Sequence, residues 1–417
     1  MTEGGEQLRA VLDFASQHPG ITVLTPSSRE FDNIRAIYVY PEIVPLAILR
    51  PATIEDVGFT VRFLAENKIA FTVRSGGHDM HGRSMKNHTV ALDMRLIKHV
   101  HINENDSTAT IGGGILIGDV ISNLQEQGPR TQFGLGVDQI VGANVVNAHG
   151  ELVEADDKLL KAIRGAGGAF GVLVELTIRV YKTLAGMIMF NSDDLGAVIP
   201  QYNQGLRASA AQGLPPALSV QQGVLNAPTP TFTVLFVWSF LDPRQGYEWL
   251  NKISSLAPLL ASTVQETTSK GWLEAADQHF AKCTRRMWTV SMRGITDEVA
   301  EVIADFTKRM PPDPHILFDM HELRACSPLA HPNPESVFTA REPHFTFEIN
   351  TIVDDEELLE HFDEQTPDKI MPVEYLSFMR GEDVDLADTF GGNRSLLKRL
   401  KAEMDPDNVF KAAISHL

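Results

Sequence analysis

The residues with the clearest chemical potential lie in one stretch, Arg74-Ser75-Gly76-Gly77-His78-Asp79-Met80-His81-Gly82-Arg83-Ser84. Adjacent glycines leave consecutive backbone N–H groups unobstructed, so they can converge on a phosphate or similar anion as a nest. Arg74 at the rim would add positive charge, and His78, directly after the glycines, would be held near whatever the loop binds. The plainer reading of the same residues is a tight turn with a surface histidine. The stretch runs between Ala70-Phe71-Thr72-Val73 and Thr89-Val90-Ala91-Leu92, both of which read as strands.

Two other patterns compete for the chemistry. Gly112-Gly113-Gly114-Ile115-Leu116-Ile117-Gly118 follows a strand and opens a helix, and with Asp138 downstream it imitates a dinucleotide fingerprint. A ribose-binding acid should close the second strand, however, and Asp138 precedes the apolar run 139–146. A metal site is suggested by His78, His81, His88, His99 and His101, but glycines place His78 and His81 on a loop, and no acidic or cysteine partner has zinc-like spacing. No metal is therefore expected.

Composition narrows the classes further. A chain of 417 residues that is 43% hydrophobic can carry two core-bearing domains. Its net charge of −18 argues against nucleic acid and against an anionic membrane surface, and it means that a phosphate-bearing ligand needs a local basic site. Two cysteines, Cys283 and Cys326, exclude a disulfide framework. The acidic start runs into an amphipathic pattern at Leu8, Val11, Leu12 and Phe14 with no signal peptide or membrane span, so a cytoplasmic setting is expected.

These residues must be positioned by alternating elements. The sequence predicts a helix over 5–17, a strand at 47–51, and a helix from Thr53 whose cap pairs with Asp56 and whose stripe includes Val57, Val61 and Leu64. Strands follow near 99–102 and 108–112, then a helix to Gln127 and another about 156–164 before a second glycine cluster, Gly165-Ala166-Gly167-Gly168-Ala169-Phe170-Gly171-Val172. Helix, glycines and then strand reverse the Rossmann order. From Gly186 onward, long apolar strands near 187–190, 218–225, 232–240, 287–293, 316–320 and 345–352 alternate with helices near 193–209, 244–258, 297–309 and 355–366. This predicts an α+β domain with a mainly antiparallel sheet. Met287, Trp288, Met292, Phe318, His321 and Phe345 lie on these strands as pocket candidates, most of them expected in the core.

The glycine-histidine stretch resembles the pyrophosphate loop of FAD-linked oxidases of the berberine-bridge-enzyme-like type, in the vanillyl-alcohol-oxidase superfamily. The resemblance extends through Ile48-Leu49-Arg50-Pro51 with Thr53, Glu55, Asp56 and Val57, through Phe133-Gly134-Leu135-Gly136-Val137-Asp138-Gln139-Ile140-Val141-Gly142, and through the second glycine cluster. At the C-terminal end, Tyr375-Leu376-Ser377 is similar to the family's Y-x-N motif, and Phe390-Gly391-Gly392-Asn393 with 405–410 to its closing signature.

The resemblance implies an α+β fold with a two-lobed PCMH-type FAD-binding domain over 1–185, a substrate-binding domain over 186–374 and a return to the first domain over 375–417. It implies FAD contacts by Arg74, Ser75, Gly76, Gly77, His78, Asp79, Ser84, Asp138, Val141, Gly142, Gly168, Phe170, Gly171, Val172 and Asn393. A covalent histidyl bond through His78 and Tyr375 as catalytic base follow from it, as does hydride transfer from a small organic substrate to flavin N5 with oxygen as acceptor, in a secondary-metabolism setting. Tyr375 as a buried, hydrogen-bonded tyrosine is the structural alternative. One departure stands out: tens of family residues are missing between the helix near Gly128 and the run from Phe133, where only Pro129-Arg130-Thr131-Gln132 remain. That gap motivates an alternative, a flavin-independent isomerase, cyclase or binding protein on the same fold.

Overall fold

The computed structural model describes residues 3–37, 42–79, 82–103, 105, 107–126, 130–131, 136–226, 229–240, 243–266, 286–308, 310, 317–324, 335–351, 370–371 and 384–417. Tyr375, His81, both cysteines and the expected helix over 355–366 lie outside the described residues.

The first sheet has four strands in the order β1-β2-β4-β3: β1 (Ile21–Leu24), β2 (Ala47–Pro51), β3 (Phe71–Arg74) and β4 (Val90–Asp93). β1 is antiparallel to β2, while β2, β4 and β3 run parallel. The parallel pairing of β2 with β4 needs a crossover, and the helix Ile54–Glu66 supplies one. Its N-terminus is the expected capping box: Asp56 N donates to the Thr53 hydroxyl, and Thr53 N donates to the Asp56 carboxylate. Val57, Val61 and Leu64 then bury a stripe against the sheet together with Val11 of the first helix.

The second sheet is antiparallel, in the order β5-β6-β10-β8-β9: β5 (Val100–Asn103), β6 (Thr108–Gly112), β8 (Ile140–Val146), β9 (Leu152–Glu154) and β10 (Val172–Arg179). Because β6 pairs antiparallel on both sides, the glycine run after it cannot be a βαβ dinucleotide fingerprint. Those glycines serve close packing. A Cβ at Gly113 would overlap the Leu173 carbonyl, and one at Gly114 would overlap the Met94 carbonyl. Gly113 thus packs on β10 within the second sheet, while Gly114 brings that sheet backbone to backbone against the end of β4, and Val146, Val172 and Val174 of the second sheet join the core of the first.

The third sheet is the largest, with nine strands whose central order is β14-β11-β13-β12-β17-β18-β16. Its members are β11 (Tyr181–Phe190), β12 (Leu218–Asn226), β13 (Pro230–Phe240), β14 (Leu259–Ser262), β16 (Arg286–Met292), β17 (Leu317–Leu323) and β18 (His344–Thr351), with β7 (Arg130–Thr131) and β15 (Gln265–Glu266) at the edge of β11. All described pairings are antiparallel, as expected. Ile188, Val220, Phe236, Phe318 and Phe347 bury one face against helices Leu195–Ala210 and Asp297–Lys308. Within that core, the side-chain amides of Asn203 and Gln222 each donate one hydrogen bond of 3.0 Å to the other's oxygen. Strand β11 begins at Tyr181 and crosses residue 185 without a break.

A Gly114→Ala substitution should destabilise the chain by about 3 kcal/mol or more, since two backbones would have to separate rather than one side chain turn. Chemical denaturation of the variant against the parent measures this.

Candidate active site

Three chain segments converge where the first two sheets join. The loop after β3 contributes Ser75, Asp79, Arg83 and Ser84; the second glycine cluster contributes Gly168 and Gly171; the C-terminal segment contributes Phe410, Ala412 and Ala413. Together with Thr72, Gly113, Leu173 and Leu176 they enclose a cavity of about 410 Å³. Ser75 Oγ donates to the Gly113 carbonyl at 2.6 Å, which ties the glycine loop to the sheet junction. Asp79 accepts from Ser84 N at 3.1 Å and from Arg83 Nε at 3.3 Å, and Arg83 reaches the Ala413 carbonyl at 3.3 Å. The C-terminal wall is held by buried Lys401, which donates to the Ala169 carbonyl at 2.9 Å and to Asp405 at 2.7 Å.

Arg74 differs from its expected place at the rim. It is 3% exposed, and its guanidinium donates to the carbonyls of Ile34 and Ala36. Burial, reinforced by Arg95, lowers its pKa to about 10 against the opposing pull of Asp93. The reason is local: Gly77 at φ +74° packs its backbone on the Arg74 side chain, so the arginine supports the loop from behind. Arg50, Arg74 and Arg95 surround the buried Asp93 carboxylate, three cations against one anion. That leaves a local excess of positive charge behind the loop in a chain that is acidic overall.

His78 stays exposed on the other side of the loop, its ring over Gly76, where a Cβ would lie 3.0 Å from His78 Cδ2. Protein atoms around the ring lower its pKa, and Glu348 on β18 opposes that shift. The imidazole is therefore neutral at neutral pH, the form in which a ring nitrogen can bond to carbon. Glu348 belongs to a polar patch on the open face of the third sheet, with His321, Asp319 and Gln221.

The remaining expected contacts are dispersed. Asp138 is 1% exposed and fully engaged by Arg341 Nη1 at 2.7 and 2.8 Å, which removes it from the role of a free ribose acid. Val141 and Gly142 lie in β8, Gly142 beside Thr177. Phe170 and Val172 are core residues, whereas Gly171 at φ +158° fits closely against Val145 and Val146. Asn393 is half-buried at the start of the helix Arg394–Met404. Thr72, Gly113, Arg83 and the 410–413 wall are residues that the sequence reading missed. A signal existed for the sheet patch, since Gln221, Asp319, His321 and Glu348 interrupt apolar strands with the two-residue spacing of one face.

The cavity passes a chemical test for a polar cofactor. Thr72 Oγ1 and Ser84 Oγ are buried without a hydrogen-bond partner, although buried hydroxyls are ordinarily satisfied. Both residues line the cavity. A ligand with phosphate, ribityl or ring acceptors would supply what they lack. Among the described residues, no group of three or more His, Cys, Asp or Glu could hold a metal ion, and no helix is long and apolar enough to cross a membrane.

Comparison with known proteins agrees with this geometry. Residues 45–167 match the FAD binding domain family, so the match covers both the glycine loop and the sheet junction. With an FAD binding domain over these residues and FAD-linked oxidoreductases among its relatives, the chain is an FAD-dependent oxidoreductase. It is 29% identical to the FAD-linked oxidoreductase aurO of Gibberella zeae, across 94% of this chain and 85% of that one. It is 30% identical to (R)-6-hydroxynicotine oxidase of Paenarthrobacter nicotinovorans over 51% of this chain and 53% of that protein. Among solved structures it resembles BBE-like 1 of Physcomitrella patens, with a TM-score of 0.76 at 18% identity, covering 96% of this chain and 97% of that one. It also resembles 6-hydroxy-D-nicotine oxidase of Arthrobacter nicotinovorans, with a TM-score of 0.75 at 21% identity, covering 94% and 96%.

Removing an unsatisfied buried hydroxyl relieves its desolvation cost, so Thr72→Val should leave the melting temperature of the flavin-free protein unchanged or raised. The same variant should bind FAD about tenfold more weakly, the worth of one hydrogen bond to a charged acceptor. Thermal melts and flavin fluorescence titrations of the same preparations measure both.

Proposed function

We propose that the chain oxidises a small organic molecule by hydride transfer to FAD, with oxygen as the acceptor that restores the cofactor. The observation that carries this reading is the meeting of both glycine clusters at one cavity that contains two unpartnered hydroxyls. Bound there, FAD supplies a two-electron acceptor.

The protein supplies the rest. Ser75, Gly76, Gly77, Asp79 and Ser84 from the first loop, with Gly168 and Gly171 from the second cluster, hold the phosphate-bearing portion. Arg74 positions the loop, and with Arg50 and Arg95 it places positive charge behind it. Phe170 and Val172 fix the second cluster in the core, Asp138 holds the adjoining helix through Arg341, and Val141, Gly142 and Asn393 stay assigned to the cofactor's surroundings. His78 bonds to the flavin, and Tyr375 acts as a base on the substrate side. In this reading residues 1–185 form the FAD domain, 186–374 the substrate domain and 375–417 the segment that closes the first domain. The fungal FAD-linked oxidoreductases among its relatives support a role in secondary metabolism.

Acid precipitation tests the histidyl bond. Flavin colour should stay with the precipitate in the parent chain and pass to the supernatant in His78→Ala. Colour released from both would remove the covalent bond, and turnover that survives complete flavin removal would favour a flavin-independent isomerase or cyclase.

A further inference from the structure

Residues 405–414 join the two sheets that hold the cavity. Phe410 sits in the core of the first sheet and meets Phe71 edge-on, with ring centres 5.8 Å apart. Ile414 lies in a different core, with Ala143 and Val145 of β8 and with Leu397 and Leu400 of the helix Arg394–Met404. Between these anchors Ala412 and Ala413 line the cavity, and a Cβ on Gly168 would lie 3.3 Å from the Ala413 methyl. The C-terminal wall and the second glycine cluster therefore meet at that point. Two such small groups bury little apolar area, so their contact alone holds the walls together weakly.

The stronger tie lies behind the wall. The Lys401 ammonium is buried, and it donates to the Ala169 carbonyl at 2.9 Å, one residue from Gly168, and to Asp405 Oδ2 at 2.7 Å. The Asp405 carboxylate, also buried, accepts from Val409 N at 2.6 Å and from Phe410 N at 2.9 Å. Asn408 takes φ +51°, a turn that brings both N–H groups back onto the carboxylate. One ammonium and one carboxylate thus run from the second glycine cluster to the C-terminal wall. Neither residue lines the cavity. Hydrogen bonds to ionised groups are shorter and stronger than neutral ones, so this pair fixes the spacing of the two walls more firmly than the Gly168 contact does.

We propose that Lys401 is a positioning residue for the cofactor: its ammonium clasps the second glycine cluster to the C-terminal wall and so sets how long FAD stays bound. The inference rests on the reading of the cavity as the FAD site. Without the ammonium, Ala169 and Asp405 lose the donor they share. The wall then keeps its apolar anchors, Phe410 and Ile414, while the stretch between them retains the Arg83 bond to the Ala413 carbonyl, at 3.3 Å, and the Gly168 contact. The clasp has to open before the cofactor leaves, and the cavity that receives FAD is unchanged. Its loss therefore falls on the dissociation rate and not on association.

A histidyl bond would mask dissociation, so release is measured on the full chain in the His78→Ala background, by flavin fluorescence after dilution. Adding Lys401→Met should speed release about tenfold, the worth of one hydrogen bond to a charged group, with association unchanged. Lys401→Met also leaves the Asp405 charge buried without its cation and lowers the melting temperature. Adding Asp405→Asn removes that charge, so the melting temperature should recover while release stays fast. The double variant carries the comparison if Lys401→Met alone does not fold. Val299→Ala, in the core beneath the third sheet, should lower the melting temperature without changing release. Unchanged release in Lys401→Met, release that recovers together with the melting temperature, or equal acceleration by Val299→Ala overturns the proposal, because each makes Lys401 a contributor to stability alone. Hydrogen exchange of the flavin-free chain reads the clasp without the cofactor: amides over 405–413 should exchange faster in Lys401→Met than in Val299→Ala, and equal exchange overturns the proposal. Faster exchange in a chain that takes up no FAD would contradict the cofactor reading and leave the clasp standing.

Discussion

The close approach of the first two sheets at Gly114, with Gly113 packed on β10 beside it, is the constraint on which the site depends. Neither position has room for a side chain, because the carbonyls of Leu173 and Met94 occupy it. Once the backbones meet, Ser75 Oγ can reach the Gly113 carbonyl and pull the glycine loop to the junction. The second glycine cluster enters from β10, and the C-terminal segment closes over both through Arg83–Ala413 and Lys401–Ala169. The cavity is thus a product of packing geometry, with polar atoms left pointing inward.

Electrostatics completes the arrangement. A chain with a net charge of −18 concentrates Arg50, Arg74 and Arg95 about one buried aspartate behind the loop. Those arginines need not touch a ligand to favour an anion there. On the other face of the loop, His78 feels the Glu348 carboxylate of the third sheet, which opposes the lowering of its pKa by burial.

Much of this was legible in the sequence. The capping box at Thr53 and Asp56, the alternation of the β12 to β18 strands and the glycine loop depend on local chemistry, and each formed where the pattern put it. What the sequence hid depends on tertiary partners. Arg74 reads as a rim cation until Ile34 and Ala36 claim its guanidinium. Asp138, placed near the cofactor by its motif alone, is paired with Arg341, 203 residues away in sequence, which engages both its oxygens. Gly112 to Gly118 imitates a phosphate loop until antiparallel pairing of β6 shows that Gly113 and Gly114 serve close backbone packing instead. Tyr375, named from its motif, lies outside the described residues.

The most direct measurement is an FAD titration of flavin-free protein, followed by flavin fluorescence, for the parent chain and for Ala413→Trp, which fills the cavity wall. The parent should bind one flavin per chain, and the variant should keep parental circular dichroism while losing that binding. Undiminished FAD binding by the folded variant, or none by the parent, would contradict the placement of the cofactor between the two glycine clusters.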